Sequence, residues 1–127
     1  MRRIVLDMQS NLFAEAVSRS LTEREPDFLV RCAESPGQAV ILCRSSLAYA
    51  LILEVTRQPP RTLEERLALG REVQRQTPAC KIVLLVDEVA DPSLAAAVTQ
   101  AKKDLRIDGF VYASVSPTYL AAVLDTL

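Results

Sequence analysis

Five short aliphatic runs, each followed by a longer segment whose apolar residues recur at helical spacing, dominate this sequence and leave few folds open to it. Arg3-Ile4-Val5-Leu6-Asp7-Met8 is the first run, and Ser10 or Asn11 then caps an apolar stripe through Leu12, Phe13, Ala16, Val17 and Leu21. Pro26 stops that helix, Asp27 to Ala33 reads as the second strand, and Ser35-Pro36-Gly37 opens a short helix carrying Ala39, Val40, Leu42 and Cys43. Leu47 to Val55 reads as the third strand. Pro59-Pro60 marks a loop, and Thr62 caps a helix with Leu63, Leu67, Gly70 and Val73 on one face. Thr77-Pro78 ends it, and Lys81 to Val86 is a continuous aliphatic strand. Asp91-Pro92-Ser93 opens a helix to about Asp104, Gly109 to Ala113 is the fifth strand, and Ser116-Pro117 caps a last helix. Strands with so few polar interruptions need cover on both faces. The expected fold is therefore α/β, a three-layer α/β/α arrangement around a parallel sheet.

Length and composition agree with one domain spanning 1–127. A chain of 127 residues, half of them hydrophobic, buries about two-thirds of its unfolded surface on folding. No composition shift or low-complexity tract divides it. Basic and acidic side chains nearly balance, 15 against 16, so neither nucleic acid nor an anionic membrane is an expected partner. Cys32, Cys43 and Cys80 are odd in number and embedded in apolar runs, which fits reduced core thiols better than disulfides or a metal knuckle. No signal-peptide core or membrane-length apolar stretch is present, and the expected location is the cytoplasm.

Several chemistries are excluded by what is missing. With no histidine, Ser-His-Asp and Cys-His nucleophiles and His-ligated zinc cannot be assembled from this chain. None of the three glycines falls in a phosphate-cradling motif. In a sheet of this kind function gathers at the carboxyl ends of the strands, here the loops after Asp7, Ala33, Glu54, Val86 and Ala113. Glu54, a carboxylate at the end of the buried run Leu51-Ile52-Leu53, is the most conspicuous of these. Taken alone it fits a solvated side chain or a partner for Arg57.

Three stretches give the pattern a family likeness. Ala33-Glu34-Ser35-Pro36-Gly37-Gln38-Ala39-Val40, Tyr49-Ala50-Leu51-Ile52-Leu53-Glu54-Val55 and Lys81-Ile82-Val83-Leu84-Leu85-Val86-Asp87 resemble the receiver domain of two-component response regulators, and Gly109 to Ala113 with Ser116-Pro117 resembles that family's fifth strand and last helix. The resemblance implies a flavodoxin-like sheet in the order 2-1-3-4-5. It places Glu54 on the position where the family carries the phosphoacceptor aspartate, and Phe110 on the aromatic that swings inward on activation. It also implies a signalling role in a phosphorelay, and an output module, often transcriptional, beyond Leu127.

The departures from the family pattern outweigh the matches. The gapless alignment puts Met8 and Gln9 at the metal-binding acidic pair, Val86 at the hydroxyl residue and Ala113 at the lysine; a slip of one residue would instead bring Asp7 beside Glu54. Phosphoryl transfer rests on charge neutralisation by metal and cation, which these side chains do not offer. Magnesium needs several oxygen ligands, which Met8 cannot supply, and Asp87 adds repulsion against a phosphate. The expectation is a degenerate pseudo-receiver, not an enzyme, with no metal and no cofactor, acting by protein contact. Either Glu54 imitates a phosphorylated aspartate or the pocket has decayed to leave an interaction surface. Two further readings are a receiver that still self-phosphorylates through Asp7 and Glu54, and a small-molecule domain with Met8, Val86 and Ala113 lining an apolar pocket.

By the same resemblance the docking or dimer face comprises the fourth helix, fifth strand and last helix, through Leu94, Val98, Tyr112, Tyr119, Leu120 and Val123. Ala95, Ala96 and Ala97 add more small apolar surface than one buried stripe needs. Arg57, Arg61, Arg66, Arg71 and Arg75 interleave with Glu64, Glu65 and Glu72, a pattern expected to form a solvated face.

Overall fold

Each helix of the chain starts where the sequence supplies an oxygen to cap it. A computed structural model describes residues 1–127 and alternates β1 (Arg2–Asp7), α1 (Asn11–Arg24), β2 (Phe28–Cys32), α2 (Pro36–Ser46), β3 (Ala50–Val55), α3 (Leu63–Gln76), β4 (Lys81–Val86), α4 (Pro92–Lys103), β5 (Gly109–Tyr112) and α5 (Pro117–Asp125). Ser10, Ser35, Thr62, Asp91 and Ser116 each accept a hydrogen bond from a backbone N–H in the first turn that no carbonyl of the helix can reach. Thr62 and Glu65 complete a reciprocal capping box. Pro36, Pro92 and Pro117 stand just inside their helices, where the missing N–H costs nothing.

All five strands are parallel and lie in the order β2-β1-β3-β4-β5, as the resemblance implies. Because successive side chains of a strand point to opposite faces, the sheet separates two cores. Val5, Leu51, Leu53, Ile82 and Leu84 pack with Ala39, Cys43, Leu67, Val73 and Val98 of α2, α3 and α4. Ile4, Leu6, Ile52, Val83 and Leu85 pack with Ala14, Leu21, Leu120 and Leu124 of α1 and α5. α3 approaches β4 closely at Gly70, where an added Cβ would stand 3.3 Å from Ile82 Cγ2. No helix is long and apolar enough to cross a membrane.

The structure corrects several expectations. β3 begins at Ala50, not at Leu47. Leu47 caps α2 in the left-handed region with φ 51°, its side chain 77% exposed, so its apolar character serves no core. Other strand ends lie within one residue of those read from the sequence. On α1, Leu12 and Ala16 face solvent and Ala14 takes the inward position beside Leu21, with Phe13 and Val17 partly buried. Cys43 and Cys80 are buried free thiols, but Cys32 is exposed, because β2 is an edge strand. The neighbouring Cys43 and burial push the Cys80 thiol up, so it stays protonated.

Candidate functional site

The register of β1 against β3 decides which side chains meet at the carboxyl edge of the sheet. Asp7 stands opposite Leu53, so Met8 follows beside Glu54. Strand alternation then separates the first two. Asp7 continues the face of Val5 toward the α2–α4 layer, and Met8 continues the face of Ile4 and Leu6, where it is buried with the α1 and α5 core. The Asp7–Glu54 carboxylate pair that a one-residue slip would create is therefore not formed.

Asp7 instead meets Arg66. Both side chains are 0% exposed, with Arg66 Nη1 2.8 Å from Asp7 Oδ2. Arg66 Nη2 also donates to the Asp7 carbonyl at 3.0 Å and Nε to the Glu54 carbonyl at 2.8 Å. One guanidinium from α3 thus ties together the ends of β1 and β3. This overturns the expectation that Arg66 belongs to a solvated face. A signal for it was present: Arg66 lies three residues after Leu63 and four before Gly70, on the inward stripe of its own helix. Burial of both charges is tolerable only when they pair and their remaining polar atoms are satisfied.

A second arginine closes the cluster. Arg61, mostly buried, places Nη2 3.8 Å from Asp7 Oδ1, an oxygen with no hydrogen-bond partner, and 3.5 Å from the Met8 carbonyl. The carboxylate of Asp7 thus faces two cations, both from the chain itself. A magnesium ion, which the family implies at this edge, does not fit these residues. Magnesium needs near-octahedral oxygen ligands; here the Asp7 carboxylate is engaged by arginine, and Met8 contributes a buried thioether. At about 4 Å and an effective dielectric of about 20, a divalent ion would be repelled by each guanidinium by roughly 8 kcal/mol.

Glu54 is half-buried, and its Oε1 accepts a hydrogen bond from the Gln9 backbone N–H at 2.6 Å. It fastens the β1–α1 loop and does not pair with Arg57. Arg57 reaches Asp91 instead, through Nε to Oδ2 at 2.7 Å and Nη2 to Oδ1 at 3.1 Å, with a further bond to Ser93 Oγ at 2.7 Å. This fork joins the β3–α3 loop to the cap of α4. The guanidinium and the Leu94 N–H hold the Asp91 carboxyl down at about 2, and Asp91 in turn raises Arg57. Between these elements lies a cavity of about 360 Å³ lined by Gln9, Glu54, Val86, Asp87 and the Arg57–Asp91 pair. Of the altered positions read from the sequence, Gln9, Val86 and Asp87 converge there with Glu54.

Asp87 is also engaged by backbone, and the other positions lie elsewhere. Asp87 Oδ1 accepts from the N–H groups of Val89 and Ala90, so its carboxylate shapes the β4–α4 loop. Ala113 lines a separate apolar cavity of about 250 Å³ with Phe13, Val17 and Leu85, between α1 and α5. Neither Met8 nor Val86 lines this cavity, so the three are not brought together in it. All three lysines lie away from the Glu54 cavity: Lys81 opens β4 at the amino end of the strands, and Lys102 and Lys103 end α4.

The face expected to dock a partner is narrower than the sequence indicated. Leu94, Val98 and Leu120 are buried in the chain's own cores. Ala96 and Ala97 are exposed and Ala95 is buried. Tyr112 and Tyr119 are exposed and Val123 is partly buried. Phe110 packs against the α2–α4 core with its ring centroid 5.7 Å from that of Tyr112.

No protein-family model and no curated protein matches the sequence. Solved structures do match. A response regulator receiver domain protein from Clostridium thermocellum superposes with a TM-score of 0.77 at 13% identity, over 99% of this chain and 93% of that one. The chemotaxis protein CheY4 of Vibrio cholerae gives 0.76 at 18% identity, over 99% and 98%. A structure described as adenylate cyclase from Rhodopirellula baltica gives 0.75 at 16% identity, over 98% and 85%. At such identities the likeness carries the architecture and no activity. From strand order, helix placement and these superpositions together, the chain has the fold of response-regulator receiver domains.

Proposed function

We propose that this chain is a pseudo-receiver: a signalling domain that acts by contact with protein partners and is not itself phosphorylated. The observation that carries the reading is the buried Asp7–Arg66 pair with Arg61 beside it. In a working receiver the acidic side chains of β1 hold an exchangeable cation that neutralises the incoming phosphoryl group. Here Met8 stands beside Glu54, and the one carboxylate of β1, Asp7, is committed to a guanidinium of the chain, a fixed charge where a working receiver keeps an exchangeable one. Val86, fully buried, offers no hydroxyl, and no lysine stands near Glu54. Arg57, the guanidinium that lines the Glu54 cavity, is paired with Asp91, which supports a site without the free cation that phosphoryl transfer depends on.

Glu54 has a structural task in this reading, since its carboxylate holds the β1–α1 loop through Gln9. Partners dock on the side of β5, where Tyr112 and Tyr119 are exposed. The domain works in the cytoplasm and biases an output module or a separate protein without itself catalysing a reaction. The test is incubation with acetyl phosphate and magnesium followed by intact-mass spectrometry and a thermal melt. The expected result is no phosphoryl adduct and no magnesium-dependent change in melting. A stable adduct mapped to Glu54 would overturn the proposal.

A further inference from the structure

β5 is the last strand of the sheet, and its far edge pairs with nothing. An unpaired strand edge presents a row of free N–H and C=O groups, a template for another extended chain. Proteins commonly cover such an edge. Here it lies open along a groove of about 540 Å³ between α4 and α5, and all four residues of β5 line it. The groove is large enough to seat a peptide segment.

The two ends of this groove differ in chemistry. Tyr112 and Tyr119 stand at the carboxyl end of β5 and the first turn of α5, the former 36% and the latter 56% exposed. Aromatic side chains of this kind are effective binding anchors. Lys81 and Lys102 stand at the other end, where β4 begins and α4 finishes. The chain holds only three lysines against a much larger number of arginines, and two of the three line this groove. Neither lysine forms an ion pair. Asp108, the one acidic residue in the lining, offsets one of the two charges, but its Oδ2 is held by the Ile82 N–H at 2.8 Å and Gln74 Nε2 at 3.0 Å and pairs with neither lysine. The groove therefore carries two unpaired ammonium groups and a net excess of positive charge at one end, and aromatic surface at the other.

We propose that this groove takes an extended, acidic peptide segment of a partner protein, which adds to β5 as a sixth strand. Its carboxylates face Lys81 and Lys102, and an apolar residue sits against Tyr112 and Tyr119. Gly109 to Tyr112 spans three steps of about 3.3 Å, or roughly 10 Å, so acidic and apolar anchors are separated by three to four residues. Main-chain hydrogen bonds supply binding strength, and the charge at one end sets the direction of the added strand. The inference rests on the reading that this face docks a protein, and it specifies the chemistry of the partner.

The test uses a fluorescein-labelled octapeptide with two glutamates at one end, alternating valine and threonine in the middle and a terminal phenylalanine. The reversed sequence and versions with lysine in place of glutamate serve as comparisons. Fluorescence anisotropy against the full chain is expected to show one glutamate peptide binding at least tenfold more tightly than its lysine counterpart. The charge-reversed variant Lys81→Glu/Lys102→Glu should invert that preference, and Lys81→Gln/Lys102→Gln should abolish it while leaving the melting temperature unchanged. Amide exchange within Gly109–Tyr112 should slow in the complex. Equal binding of both peptides, or binding indifferent to Lys81 and Lys102, would overturn the inference. Sedimentation velocity separates it from the underlying reading: self-association lost in Tyr112→Ala/Tyr119→Ala, without glutamate-peptide binding, overturns the acidic strand alone. Absence of both self-association and peptide binding overturns the docking face as well.

Discussion

Replacing Arg66 by methionine keeps most of the buried stem and removes the charge, which isolates the electrostatic contribution of the cluster. The substitution leaves the fully buried Asp7 carboxylate with only Arg61 at 3.8 Å, and deprives the Asp7 and Glu54 carbonyls of their donors at 3.0 and 2.8 Å. Breaking a buried pair from one side costs about 3–5 kcal/mol, a large part of the roughly 5–15 kcal/mol that holds an ordinary domain together. With a urea dependence of about 1.5–2 kcal/mol per molar, the denaturation midpoint should fall by about 2 M. The companion Asp7→Leu/Arg66→Met removes both charges, leaves the two carbonyl bonds unmade and takes from Arg61 its carboxylate at 3.8 Å. Its loss should be about 1–3 kcal/mol, giving a coupling of roughly 2 kcal/mol or more in a double-mutant cycle. The assay is equilibrium urea unfolding followed by far-ultraviolet circular dichroism for the four proteins of the cycle. A single-variant cost below about 1 kcal/mol, or a double variant whose loss equals the sum of the singles, would refute the reasoning.

Two further outcomes follow from local geometry. Asp91, held at about 2 against an ordinary value of 3.8 by Arg57, the Leu94 N–H and Ser93, binds fewer protons folded than unfolded between those values. Its stabilising contribution is therefore fully present above pH 3.8 and is lost as the pH falls to about 2. Carbon-detected NMR titration should place the Asp91 midpoint near 2, and Arg57→Ala should move it up toward 3.8; an unchanged midpoint would remove Arg57 as the cause. Leu47, at φ 51° and 77% exposed, bears a left-handed backbone that glycine adopts without penalty. Leu47→Gly should raise the thermal stability by about 0.5–1 kcal/mol, and a loss of stability would show that the exposed leucine makes a contact the fold needs.

Much of the fold is legible in the sequence because its signals are local. Pro26 and Pro78 stop helices through their own ring geometry, and Ser35, Thr62, Asp91 and Ser116 mark helix starts because a capping oxygen needs only the next turn. Lys81 to Val86 is aliphatic at every residue after the first, which identifies a strand covered on both faces. The same local reading fails where local and tertiary demands conflict. Leu47 looks like a strand residue by hydrophobicity, but it caps a helix, and Cys32 looks like core but sits on the exposed edge of β2. Arg66 looks like one more surface arginine in a charged helix, although its spacing from Leu63 and Gly70 already puts it on the inward face.

The candidate site divides along the same line. The reading that sets Val86, Ala113, Met8 and Gln9 against the hydroxyl, lysine and acidic positions of the receiver pattern is a comparison of residue identities, which requires no coordinates. Which charges pair at that edge is not readable. Arg66 and Asp7 are separated by 59 residues, and Arg57 and Asp91 by 34. Which carboxylate each arginine meets depends on strand order and on which face the β1 register gives to Asp7. The sequence by itself therefore determined that strands and helices alternate, where the helices begin, and that a glutamate follows the buried run Leu51-Ile52-Leu53. Only the tertiary structure decided that a guanidinium fills the carboxyl edge, because a buried charge takes its partner from whatever the crossover connections bring within reach.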